Sequence, residues 1–211
     1  MNHTIKIAPS LLSADFSALE RDVRTCEEGK ADILHADIMD GHFVPNITFG
    51  PLVVSAVARK TSLPISCHLM IENPDKYIDE FAKAGASYIS VHAEGSVHTH
   101  RTLSKIKSTG AKAGLALNPA TPLEFAFAAA EYCDFILLMS VNPGFGGQAF
   151  IPSFLRRCAT LREYLIKNNL EKQVEIEVDG GVKADNVAEI VRAGASIIVC
   201  GSGVFSGDIV S

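Results

Sequence analysis

Eight short apolar runs bounded by turn signals, several of them alternating with polar residues, lie near 5–9, 33–39, 64–70, 87–92, 112–117, 134–140, 174–179 and 196–200. Alternation with a period of two, bounded by turn residues, is the pattern of a β-strand. Between these runs the apolar spacing changes to threes and fours, which predicts helices near 17–28, 50–60, 74–83, 98–109, 122–131, 153–168 and 184–193. Ser17-Ala-Leu-Glu20 reads as a capping box at the first helix, and Pro74 sits where a first turn tolerates proline. Gly29, Gly85, Gly110 and Gly194 each fall just past a helical pattern, where a left-handed residue closes the last turn. The segments 84–91 and 193–200 echo each other closely, as expected of one βα unit used repeatedly.

Strict alternation of strand and helix forces a mainly parallel sheet with right-handed crossovers. Eight strands favour closure into a (β/α)8 barrel, read as a single domain over residues 1–211. An open doubly wound sheet is the alternative. It is disfavoured because Pro9-Ser-Leu-Leu-Ser13 follows the first strand where a dinucleotide-binding fold has G-x-G-x-x-G. After Gly207 only four residues remain, too few for an eighth helix, so the last helix is expected to be missing.

Composition sharpens this picture. Hydrophobic residues make up 47% of the chain, as suits strands covered on both faces. A net charge of −5 with scattered Lys and Arg argues against nucleic-acid or membrane partners, while leaving room for a small anionic ligand. The five cysteines are far apart and form no C-x-x-C, so reduced thiols in a core are expected. With no signal-peptide pattern and no apolar run of ~18 residues, a cytoplasmic location is expected.

Candidate chemistry sits at the strand ends. Residues two apart share a face of a strand, so His35 and Asp37 point together, with Met39 beyond them. His68 and Met70 repeat the pattern on the third strand, and the seventh ends on Asp179. Each residue alone has an ordinary explanation as a hydrogen-bonded core histidine or a turn-forming aspartate. Together, His35, Asp37, His68 and Asp179 form a two-nitrogen, two-oxygen set for one divalent metal ion, with Zn2+, Fe2+, Mn2+ and Co2+ all compatible. His92, at the end of the fourth strand, is placed where it could support that set from behind. His42 reads as a loop residue, His98 and His100 as solvated positions at a helix start, and His3 as part of the N-terminus. Met39, Met70 and Met139 are core fillers by default, yet each ends a strand, where they would screen an anion from water.

Glycine-rich loops follow the last three strands: Asn142-Pro-Gly-Phe-Gly-Gly147, Asp179-Gly-Gly181 and Gly201-Ser-Gly203. Backbone N–H groups exposed by glycine can cradle a phosphate, and barrels commonly bind phosphate at these loops. No Lys-Ser/Thr follows any of them, which excludes a nucleotide P-loop.

The residues His35-Ala-Asp-Ile-Met-Asp-Gly-His-Phe-Val-Pro-Asn-Ile-Thr-Phe-Gly50 closely resemble a signature of the ribulose-phosphate 3-epimerases. So do Ala8-Pro-Ser-Leu-Leu-Ser-Ala-Asp-Phe16, Cys67-His-Leu-Met70, the segment from Met139 to Gln148, and Glu177-Val-Asp-Gly-Gly-Val182. The likeness runs in unbroken order over essentially the whole chain and departs only at the C-terminus, where the family continues into a final helix. It implies a TIM barrel of the ribulose-phosphate-binding type that reversibly epimerises D-ribulose 5-phosphate at C3, giving D-xylulose 5-phosphate in the pentose phosphate pathway. It further implies that His35, Asp37, His68 and Asp179 bind the catalytic metal, with Asp37 and Asp179 doubling as the acid/base pair. Ser10, His68, Gly144, Phe145, Gly146, Gly147, Gly180, Gly181, Gly201 and Ser202 would contact the sugar phosphate. A homo-oligomer is expected on the same ground.

The residues agree with that chemistry. Inverting a carbon α to a ketone needs a proton removed from one face and another delivered to the opposite face, and two carboxylates from well-separated strands can flank the carbon. A cation would stabilise the enediolate between the two transfers. Three rivals share parts of the pattern. An epimerase of a related ketose phosphate such as allulose 6-phosphate needs the same groups in a roomier pocket. A phosphate-binding barrel decarboxylase would be helped by a strand-end lysine, but Met39 stands two residues beyond Asp37. A non-catalytic sugar-phosphate-binding barrel would have no need of both aspartates and both histidines.

Overall fold

A computed structural model describes residues 4–205, without the side chain of Ser202. Eight strands alternate with helices in chain order: β1 (Lys6–Pro9), α1 (Leu19–Glu28), β2 (Leu34–Met39), α2 (Pro51–Ala58), β3 (Ile65–Met70), α3 (Ile78–Lys83), β4 (Ala86–His92), α4 (Thr99–Ser108), β5 (Lys112–Leu117), α5 (Glu124–Ala129), β6 (Phe135–Met139), α6 (Ser153–Lys167), β7 (Glu175–Asp179), α7 (Val187–Ala193), β8 (Ile197–Cys200) and α8 (Ser202–Phe205). Every ladder is parallel, and the sheet runs β1-β8-β7-β6-β5-β4-β3-β2. The remaining seam, between β1 and β2, is joined by a parallel bridge from Ser10 to His35 and by the Asp32 and Ile33 N–H groups donating to Ile7 O. This is the (β/α)8 TIM barrel that the alternation of elements predicts.

The period-two pattern divides the core in two. Outward-facing Leu34, Ala36 and Ile38 of β2, Cys67 and Leu69 of β3, and Ile136 and Leu138 of β6 pack against the helices. Inward-facing residues stack inside the barrel. Ala8, Ile33, Tyr88, Phe135, Ile197 and Val199 form one layer, and Ala116, Leu137, Met139 and Val141 form another. Met39, Val44 and Met70, with Leu12 and Phe43 against them, close a further cluster. Phe135 fills its layer because β5 carries Gly114 opposite it. A Cβ on Gly114 would lie 2.2 Å from Phe135 Cζ. The volume saved by one glycine is thus taken up by one aromatic ring.

Local details correct some of the sequence-based expectations. Ser17 makes no capping box: its hydroxyl donates to Asp15 Oδ1, and α1 starts from Ala18 without a side-chain cap. Glycine takes positive φ after three helices (Gly85, Gly110, Gly194), but after α1 that role falls to Lys30 at φ 60° while Gly29 stays near helical values. Pro74 opens a 3-10 turn, Pro74–Lys76, and α3 starts only at Ile78. After β8 a single helical turn, Ser202–Phe205, is present. Residues 206–211, on which the expectation of a missing last helix falls, lie outside the described residues, as does His3. All five cysteines are free thiols. Among the described residues, no helix is long and apolar enough to cross a membrane.

Candidate metal centre

The inward positions of β2, β3 and β7 bring four side chains to one point at the C-terminal mouth. His35 and Asp37 are successive inward residues of β2, Asp37 pairs in register with His68 of β3, and Asp179 ends β7. Asp37 Oδ1 lies 3.3 Å from His35 Nε2 and 3.2 Å from His68 Nδ1. Asp179 Oδ2 lies 3.9 Å from His35 Nε2 and 3.5 Å from His68 Nδ1. One donor atom from each of the four fits within 4.8 Å of the others. A tetrahedron of ligands with bonds of about 2.1 Å has edges of about 3.4 Å, so these spacings suit one small divalent cation.

Burial supports the same reading. His35 and His68 are fully buried and Asp37 nearly so. His35 Nε2, aimed at the two aspartates, makes no hydrogen bond, and such a buried orphan is costly unless something else satisfies it. Asp37 is held in place from the other side. Ser10 Oγ donates to its Oδ2 at 2.6 Å, and Thr48 Oγ1 donates to its backbone carbonyl.

Electrostatics show what the cluster does without a cation. Burial opposes charge on His35, but the Asp37 and Glu177 carboxylates prevail and raise it well above the usual imidazole range. His68 follows the same logic, raised by Asp179 and Asp37 against the pull of burial. Burial also opposes ionisation of Asp37, yet His35 and His68 hold it below the usual carboxylate range.

Two carboxylates near the cluster were not singled out by the sequence pattern. Glu177 is buried, with Oε1 3.1 Å from His35 Nδ1. A carboxylate behind a ligating histidine is a common way to fix which ring nitrogen carries the proton. Its signal was present, since Glu177 precedes Asp179 by two positions and must share its inward face. Glu94 approaches the other histidine indirectly. It accepts from His92, whose Nδ1 lies 3.0 Å from its Oε2, and His92 Nε2 lies 2.8 Å from His68 Nε2. His92 is thus behind the cluster, as its strand-end position suggests. Burial lowers His92 to about 4, against the opposing pull of Glu94. His42 stays in its loop against Asp40, and His98 precedes α4.

Above the cluster lies a cavity walled by Ser10, Asp37, Asp179, Gly144, Phe145, Gly146, Gly147, Gly180, Gly181 and Gly201, together with Met39, Met70 and Met139. His35 and His68 lie beneath this wall rather than in it. The Ser202 side chain lies outside the described residues. Ser13 and Lys183 join the wall without having been marked in the sequence. The glycine loops are held by side chains. Gln148 Nε2 donates to Asn142 O and Phe145 O, Asn46 Nδ2 to Gly144 O, and Ser140 Oγ to Gly180 O. Gly180 adopts φ 112°, and a Cβ there would lie 2.3 Å from Val141 Cγ2, so only glycine fits.

The family model described as "Ribulose-phosphate 3 epimerase family" matches residues 6–205. Ribulose-phosphate 3-epimerase of Aquifex aeolicus is 51% identical over 94% of this chain and 89% of its own length. The Bacillus subtilis protein of the same name is 51% identical over 95% of this chain and 92% of its own length. Among solved structures, KGPDC from Streptococcus mutans superposes with a TM-score of 0.74 at 10% identity, covering 99% of this chain and 93% of its own. That last likeness speaks to the fold alone.

Proposed function

The chain belongs to the ribulose-phosphate 3-epimerase family, and from that membership we propose that it interconverts D-ribulose 5-phosphate and D-xylulose 5-phosphate by two proton transfers at C3. The observation that carries the proposal is the meeting of His35, Asp37, His68 and Asp179 around one point at the mouth of the barrel.

Asp37 and Asp179 are the acid/base pair in this reading. They stand on β2 and β7, separated around the barrel by β1 and β8, and each brings a carboxylate to the same cavity. Asp37 takes the C3 proton of ribulose 5-phosphate and Asp179 delivers one to the opposite face; the roles reverse for the return reaction. Ser10 orients Asp37 through its Oδ2, so the lone pairs of Oδ1 are the ones directed at the cluster. A divalent cation held by the four residues supplies Lewis acidity toward the negative charge that develops on the substrate as the proton leaves. Zn2+, Fe2+, Mn2+ and Co2+ all suit the donor set.

The remaining residues position the sugar phosphate and keep water away. Gly144, Phe145, Gly146, Gly147, Gly180, Gly181, Gly201 and Ser202 receive the phosphate through backbone groups, with Lys183 adding the only cationic side chain in the described cavity wall. Met39, Met70 and Met139 present an apolar surface near the reacting carbon. Phosphate binding remote from C3 contributes orientation rather than chemistry.

A coupled assay for xylulose 5-phosphate formation tests this directly. The proposal expects turnover of ribulose 5-phosphate to exceed that of allulose 6-phosphate. Preference for the six-carbon ketose would move the assignment to the related epimerase, and absence of turnover on either would leave only a sugar-phosphate-binding barrel.

A further inference from the structure

We propose that His92 and Glu94 are positioning residues for the metal centre: a chain of hydrogen bonds from Glu94 through His92 keeps the proton of His68 on Nε2, and so leaves its Nδ1 lone pair facing Asp37 and Asp179. The inference rests on the metal-binding reading of the four-residue cluster and adds two residues outside it.

The chain can be followed from its outer end. Glu94 lies in the turn Ala93–Gly95 directly after β4, with its side chain about one-quarter exposed. Its Oε1 accepts the backbone N–H of Asn118 at 2.8 Å and the Thr121 hydroxyl. Both donors come from the segment between β5 and α5 and fix how the carboxylate is turned. Its other oxygen, Oε2, then faces His92 Nδ1 at 3.0 Å. An ionised carboxylate only accepts, so Nδ1 of His92 carries the proton. A neutral imidazole has one N–H, which makes His92 Nε2 an acceptor. That atom lies 2.8 Å from His68 Nε2, so His68 donates there, and the nitrogen left to offer a lone pair to a cation is Nδ1.

Reversing the chain has a definite cost. If His68 carried its proton on Nδ1, His92 would have to donate from Nε2 and turn a bare Nδ1 lone pair toward the Glu94 carboxylate. Two acceptors would then face each other at 3.0 Å beside a nearly fully buried ring. The tautomer of His68 is therefore decided two residues away, by Glu94. His35 shows the complementary arrangement, with Nε2 at the cluster and Nδ1 facing Glu177. The two histidines turn opposite ring nitrogens to the cluster, and each has a carboxylate on its other side, Glu177 at 3.1 Å from His35 Nδ1 and Glu94 reached through His92. Without Glu94 and His92, β3 would present a histidine free to protonate the wrong nitrogen.

The test compares Co2+ affinity, by competition with a chelator, in the wild-type protein, His92→Leu and His92→Gln. The glutamine amide oxygen can still accept from His68 Nε2, whereas leucine cannot. Loss of an outer partner of a ligating histidine typically weakens metal binding about 10- to 100-fold. The expectation is a loss in that range for H92L, with H92Q close to wild type. Nitrogen-15 spectra of the Zn2+-loaded wild-type protein give a second readout that needs no variant, with the His68 proton expected on Nε2 and the His92 proton on Nδ1. Equal Co2+ affinity in H92L and wild type would overturn the inference, as would a proton on His68 Nδ1. Equal weakening in H92L and H92Q, matched by equal loss of thermal stability, would also overturn it, leaving His92 a packing residue. A wild-type protein that takes up no cation would remove the metal-binding reading itself, and is distinguished from these results by its own titration.

Discussion

The hydroxyl of Ser10 donates to Asp37 Oδ2 at 2.6 Å, tying the residue after β1 to the middle of β2 across the one seam of the barrel without a ladder. The carboxylate proposed as the C3 base is thereby fixed by the same contact that helps to close the fold. A hydrogen bond to a charged group is worth about 1.5–3 kcal/mol, and about 1.4 kcal/mol is tenfold in rate. Ser10→Ala should lower kcat by roughly ten- to a hundredfold. Losing a donor to the ionised form also shifts Asp37 upward, so the acid limb of the pH–rate profile should move to higher pH. An S10A enzyme with unchanged kcat and profile would detach Ser10 from the chemistry.

Metal uptake should depend on pH in a defined direction. Both His35 and His68 are raised above the ordinary imidazole range in the cation-free cluster, because neighbouring carboxylates outweigh burial. The carboxylates favour the protonated form of both rings, so a cation competes with protons for these nitrogens. Apparent affinity should therefore climb with pH, by about tenfold per unit for each proton displaced. Isothermal titration with Co2+ in two buffers of different ionisation enthalpy counts those protons. Release of none would contradict that competition.

Lys183 provides a separate handle on substrate binding. It is the one cationic side chain among the described residues lining the mouth, and it is exposed. An exposed charge contributes at most about 1 kcal/mol, so Lys183→Ala should raise KM by roughly two- to fivefold with kcat little changed. The rise should shrink at high salt. A fall in kcat with constant KM would assign the lysine a role in the chemistry instead.

Gly114 and Phe135 should be energetically coupled. Gly114→Ala forces a methyl group to within 2.2 Å of the Phe135 ring, and overpacking of this kind costs about 1–3 kcal/mol. Phe135→Leu withdraws the ring, so the double variant should lose less than the sum of the single losses in urea unfolding. Strict additivity would contradict the picture of one glycine making room for one aromatic.

Much of this was legible in the sequence because strand geometry is so regular. A period of two placed His35, Asp37 and Met39 on one face, and the paired residues His68 and Met70 on the neighbouring strand in matching register. What stayed hidden depends on contacts between strands. Glu177 was visible as an alternate position of β7, yet nothing along the chain says that it lies against His35. The role of Glu94 emerges only when the segment between β5 and α5 is folded against it. Lys183 enters the mouth through the loop after β7, where no periodicity operates. The capping box failed because Asp15 competes for the Ser17 hydroxyl, a local alternative that the four-residue pattern does not register.

The central claim is that Asp37 and Asp179 serve opposite faces of one carbon. The most direct measurement is exchange of the C3 proton with deuterium from solvent, followed by NMR in Asp37→Asn and Asp179→Asn at saturating metal. Neither variant should epimerise. D179N should still exchange the C3 proton of ribulose 5-phosphate, and D37N that of xylulose 5-phosphate, because each keeps the carboxylate on one face. Near-wild-type epimerisation by either variant, or exchange of the same epimer by both, would contradict the account.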